Sequence, residues 1–133
     1  MKVEDVEGIG PANAAKLQAA GVNTDAALLE RAGPKAGRDA LAADTGISPK
    51  LLLEWVNHAD LMRINGIGGQ FSDLLEAAGV DSCAELARRN PAALATTFGE
   101  LNAARATTRR APTEAMVTDW IEQAKALPKV VTH

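Results

Sequence analysis

The chain has 133 residues, 47% of them apolar but only 3% aromatic and none a tyrosine, so its core must be Leu, Ala, Val and Ile, which suits small close-packed helices better than a sheet. Its formal charge of −3 lacks the basic excess with which dedicated nucleic-acid binders neutralise phosphates. One cysteine excludes an internal disulfide, no apolar stretch follows Met1 as a signal peptide requires, and no run approaches the roughly 18 apolar residues of a membrane span, so a soluble, cytoplasmic protein is expected.

Lys2 to Val6 is a candidate first turn, stopped by Gly8. Pro11 sits at the first helical position, with Gly10 as N-cap, and this helix ends at Gly21. Thr24 caps DAALLERA, which Gly33-Pro34 terminates. A helix from about Lys35 to Asp44 stops at Gly46. Ser48-Pro49 is a strong start signal for PKLLLEWVNHADLM. After Gly66-Ile67-Gly68-Gly69 a helix runs through Ala78 and ends at Gly79. Ser82 and Glu85 form a capping-box pattern for CAELARR. Asn90-Pro91 opens PAALATTF, and Thr113 caps EAMVTDWIEQAKAL, ended by Pro128. No segment alternates with period two, so the predicted class is all-α.

The second half replays the first at an offset of 58 residues. Positions 8–22 and 66–80 are identical at eight of fifteen places, from Gly8/Gly66 to Val22/Val80. Trp55 matches Trp120 once about seven extra residues are allowed near 97–110. This is an internal duplication, with repeat 1 at about 1–60, repeat 2 at about 61–128 and a short tail at 129–133. The two copies are expected to share one pseudo-symmetric domain spanning 1–133.

Each Gly-Ile-Gly allows a tight turn between helices. Ile9 and Ile67 would point inward, Ala14 and Ser72 would let two helices approach closely, and Leu17 and Leu75 would continue the buried stripe. The amides that open the second helix have no helical partner, which makes an anion site, most often for phosphate.

At these residues the chain resembles the helix-hairpin-helix family. Val6 through Leu17 fits that family's pattern well; Ile64 through Leu75 departs at Gly69, where proline is common. The duplicated pattern resembles more specifically DUF4332, a bacterial family of tandem helix-hairpin-helix proteins of unknown function. TGISPKLLLEWVNHADLMRINGIG followed by LLEAAGVDSCAEL carries that resemblance. The rhythm at Ala20–Leu28 and Ala78–Leu86 is also similar to helical repeats in recombinase N-terminal domains and transcription elongation factors. The resemblance implies an all-α, SAM-like fold of two helix-hairpin-helix repeats. It also implies contact with the DNA backbone through hairpin amides without reading sequence, sometimes with a bound monovalent cation, or alternatively a protein partner.

The candidate DNA-binding residues are Gly8, Ile9, Gly10 and Lys16 at the first hairpin, and Gly66, Gly68, Gly69 and Gln70 at the second. Arg105, Arg109 and Arg110 join them, in a segment whose TTRRAP reads as an exposed loop. Asp73 and Glu76 follow the second hairpin, and an acidic face repels phosphate. Arg88 and Arg89 suit a helix C-terminus, and Trp55 and Trp120 read as core anchors. His58 near Asp60 lacks a third ligand and reads as a helix-surface or capping residue, and Cys83 reads as unreactive. No nucleophile elbow, phosphate-loop lysine motif or HExxH occurs, so no catalytic residue, metal or cofactor is expected. The expected function is a non-enzymatic binding module, monomeric or weakly dimeric, with DNA as leading partner and a protein–protein adaptor as the alternative.

Overall fold

The computed structural model describes residues 1–6, 8–105 and 110–133, with residue 105 given by its backbone alone. Among the described residues there are eight α-helices: α1 (Pro11–Ala19), α2 (Asp25–Ala32), α3 (Lys35–Thr45), α4 (Pro49–Leu61), α5 (Gly69–Ala77), α6 (Cys83–Leu86), α7 (Pro91–Arg105) and α8 (Glu114–Ala126). A 3₁₀ turn, Val3–Asp5, precedes α1, and the one β-type pairing among them is an isolated bridge between Lys2 and Thr24. The chain is therefore all-α. It divides into two compact units, Met1–Asp60 with Val130–His133, and Leu61–Lys129.

In the first unit, hydroxyl and glycine caps fix most of the helix ends. The Thr24 hydroxyl accepts from the Ala27 amide at 3.1 Å, and Gly46, at φ 73°, closes α3 by donating to the Ala42 carbonyl. The interior is aliphatic apart from Trp55, with Val3, Leu17, Leu28, Leu41 and Leu52 fully buried. Gly37 lets α3 lie against α2: a Cβ there would stand 2.0 Å from the Arg31 carbonyl oxygen. Residues 130–133, most of the tail expected at 129–133, pack into this unit. Val131 is buried, and the Thr132 amide donates to the Gly33 carbonyl at 3.0 Å. Arg38, itself buried, forks its guanidinium onto the carbonyls of Ala32, Gly33 and Thr132.

The second unit is built around Trp120, which Phe71 and Phe98 meet at ring-centroid distances of 5.2 and 6.5 Å. Two helix ends depart from the sequence expectation. α6 stops at Leu86 rather than Arg89, because the amides of Arg88 and Arg89 bond three residues back, to Glu85 and Leu86, as in a 3₁₀ end. Pro91 disfavours helical geometry at Asn90 and so sets that limit. α7 continues seven residues beyond Phe98 to Arg105. Gly99 does not break it, because Leu94, Phe98 and Leu101 keep an i, i+4, i+7 stripe on the core.

Hydrogen bonds recur between the units at the same 58-residue offset. Ile9→Val6 and Ile67→Ile64 are equivalent amide-to-carbonyl bonds, as are Ala14→Gly10 and Ser72→Gly68, and Val22→Leu17 and Val80→Leu75. Thr24 and Ser82 cap α2 and α6 through the same N3 amide. Thr24→Ala and Ser82→Ala are each expected to lower stability by about 1 kcal/mol in urea titrations; no change in the midpoint of either would show that the cap does not hold the helix.

Candidate functional site

The first corner is made by three consecutive residues with three different tasks. Gly8 takes φ 87°, a conformation that side chains rarely adopt. Ile9 is buried and donates its amide to the Val6 carbonyl at 3.1 Å, which pins the turn. Gly10 is extended, at φ −79° and ψ 172°, and caps α1 without a side chain. Pro11 has no N–H to offer, and Ala14 supplies the first amide that bonds back, to Gly10 at 2.9 Å. The amides of Ala12 and Asn13 thus have no acceptor among the described residues and stand at the positive end of α1.

The second corner repeats this construction. Gly66 takes φ 99°, Ile67 is buried, and Gly68 is the side-chain-free N-cap of α5. Ser72 closes the first turn onto Gly68 at 2.9 Å, and its hydroxyl donates to the Gly69 carbonyl. The amides of Gly69, Gln70 and Phe71 have no acceptor among the described residues. An oxyanion is the ligand such a group of donors accommodates.

A tryptophan backs each corner. Trp55 and Trp120 are 2% exposed, as core anchors should be. Their indole nitrogens, however, stand at the corners: a Cβ on Gly8 would lie 3.3 Å from Trp55 Nε1, and one on Gly66 would lie 3.1 Å from Trp120 Nε1. The sequence pointed to these residues only as core. Their matched places in the last helix of each copy were the available sign of something more.

The other expected site residues are dispersed. Lys16 is exposed in the last turn of α1, roughly 9 Å along the axis from Gly10 at 1.5 Å per residue. Gln70 is exposed in the first turn of α5, which also carries half-buried Asp73 and exposed Glu76 one and two turns on. Arg110 is exposed ahead of α8, whereas Arg109 and the Arg105 side chain lie outside the described residues. Arg89 is structural: it donates to Glu85 at 3.2 Å and to the Gly79 carbonyl just past α5 at 3.1 Å. Arg31, 58 residues earlier, does the same for the Ala20 carbonyl just past α1 while pairing with Asp44. His58 is not on a helix surface as expected. α4 is buried continuously from Trp55 to Asp60, so His58 and Asp60 are both enclosed, and neither lacks a partner. Cys83 is buried.

A family model described as "Domain of unknown function (DUF4332)" matches residues 7–127. No curated protein and no solved structure matches the chain.

Proposed function

The chain belongs to the DUF4332 family, and from that premise we propose that it is a non-enzymatic module that grips the DNA backbone through two helix-hairpin-helix corners. In this reading the two units are copies of one hairpin element. Gly8-Ile9-Gly10 and Gly66-Ile67-Gly68 are the hairpins, and the phosphate oxygens accept from the amides that open α1 and α5. The observation that carries it is the paired set of helix-opening amides, at Ala12–Asn13 and Gly69–Phe71, that donate to no acceptor among the described residues. Amides and helix dipoles recognise phosphate rather than bases, so the binding carries no sequence preference. Lys16 and Arg110 act at a distance from the turns as diffuse positive charge, and Arg105 and Arg109 belong to the same basic segment. No helix among the described residues is long and apolar enough to cross a membrane.

Fluorescence anisotropy of a labelled duplex tests this. Binding is expected at about 50 mM salt, with affinity falling about 40-fold by 200 mM if three phosphates are neutralised. Lys16→Glu and Arg110→Glu are expected to weaken binding similarly for every duplex sequence. Absence of binding at 50 mM salt would remove the proposal. A protein-adaptor function is favoured by one observation, the acidic Asp73 and Glu76 on the helix that opens at the second corner. It predicts salt-tolerant capture of a partner that Lys16→Glu leaves unchanged and nuclease treatment does not release.

A further inference from the structure

We propose that the indole N–H groups of Trp55 and Trp120 are side-chain donors of the two corners, each adding one hydrogen bond to the oxyanion that the neighbouring amides receive. The inference rests on the phosphate-binding reading above and deepens it. A tryptophan buried to this degree ordinarily gives its N–H to an acceptor. Here neither indole donates to any acceptor among the described residues, although both residues are 2% exposed. In each unit the nitrogen is the atom nearest the missing side chain of the corner glycine, at 3.3 Å for Gly8 and 3.1 Å for Gly66. Glycine thus does two things at these positions: it supplies the positive φ, and it leaves unfilled the space beside the indole nitrogen that a Cβ would crowd. The coincidence does not come from local sequence, since the two tryptophans follow their corners at different separations, 47 and 54 residues. Packing brings both nitrogens to the same place.

The chemistry of the donor defines the ligand. An indole nitrogen donates and cannot accept, so it favours an anionic oxygen and offers nothing to a cation. Being neutral, it adds directionality without adding charge. Its loss should therefore weaken binding without changing the salt slope, unlike the loss of a lysine.

Trp55→Phe and Trp120→Phe keep an aromatic ring in the core and remove the N–H. Each is expected to weaken duplex binding about tenfold at 50 mM salt, with an unchanged salt dependence. Wild-type affinity in both variants would overturn the inference while leaving the amide-based proposal intact. Should a variant fail to fold, the full-length wild-type chain gives an independent measurement. Its indole N–H resonances, one per tryptophan, are expected to move downfield on titration with duplex, and with inorganic phosphate at higher concentration. Movement with phosphate but not duplex would uphold the indole sites and remove DNA as their ligand. Resonances that stay fixed under both titrations would overturn the indole sites.

Discussion

Gly37→Ala is expected to destabilise the protein by about 3 kcal/mol, the upper end of the usual range for overpacking. Helix propensity alone predicts the opposite sign, because alanine is better than glycine in a helix by roughly 0.5–1 kcal/mol. The difference lies in what a Cβ would meet. At Gly37 it would stand 2.0 Å from the carbonyl oxygen of Arg31 and 3.2 Å from its carbon. That is backbone on the facing helix, not a flexible side-chain tip. Arg31 cannot easily yield, since its guanidinium is already committed to Ala20 and Asp44. α2 and α3 must therefore separate, and buried Leu28, Leu29 and Leu41 lose contact with them. Gly99→Ala in α7 provides the internal comparison. Nothing lies within 4 Å of its missing Cβ, so there the propensity term stands alone and stability should rise by roughly 0.5–1 kcal/mol. Urea unfolding of both variants decides the matter: two stabilised proteins would mean that α2 and α3 are not in such close contact.

The starts of the helices were legible because they are written in local chemistry. Thr24, Ser48, Ser82 and Thr113 each accept the N3 amide that their positions suggest, and Pro11, Pro49 and Pro91 each stand at the first helical residue. Ends were harder. The helix expected over PAALATTF continues through Gly99 as α7 because Leu101 still faces the core; burial outweighs a propensity cost of about 1 kcal/mol. At the candidate site, Gly8 and Gly66 were recognisable as corners, since a repeated glycine flanking a buried isoleucine has few other uses. The role of the tryptophan nitrogens was not legible, because no sequence rule tells which edge of a buried indole faces a turn 47 residues away. For the same reason Gly37 resembled any mid-helix glycine.

Arg38→Met should cost about 3–4 kcal/mol, and the loss should be shared with the C-terminal residues. Methionine fills a comparable length with an apolar chain, so the change removes donors more than volume. Arg38 serves three carbonyls: Ala32 at 3.1 Å, Gly33 at 2.9 Å and Thr132 at 2.7 Å. Gly33 keeps the Thr132 amide as a second donor, whereas Ala32 and Thr132 would lose the guanidinium. One buried and one part-buried bond from a charged donor, at roughly 1.5–3 kcal/mol each, account for the expected magnitude. Arg38→Lys should recover only part of it, because one ammonium cannot reproduce a planar fork aimed at carbonyls 100 residues apart in sequence. Removing residues 130–133 deletes the Thr132 acceptor and the burial of Val131, and should be destabilising on its own. Combined with Arg38→Met, the deletion should fall short of additivity by at least about 1 kcal/mol, since both changes break one shared contact. Additive losses in urea titrations would show that the guanidinium and the C-terminal segment act independently, and that Arg38 serves only the end of α2.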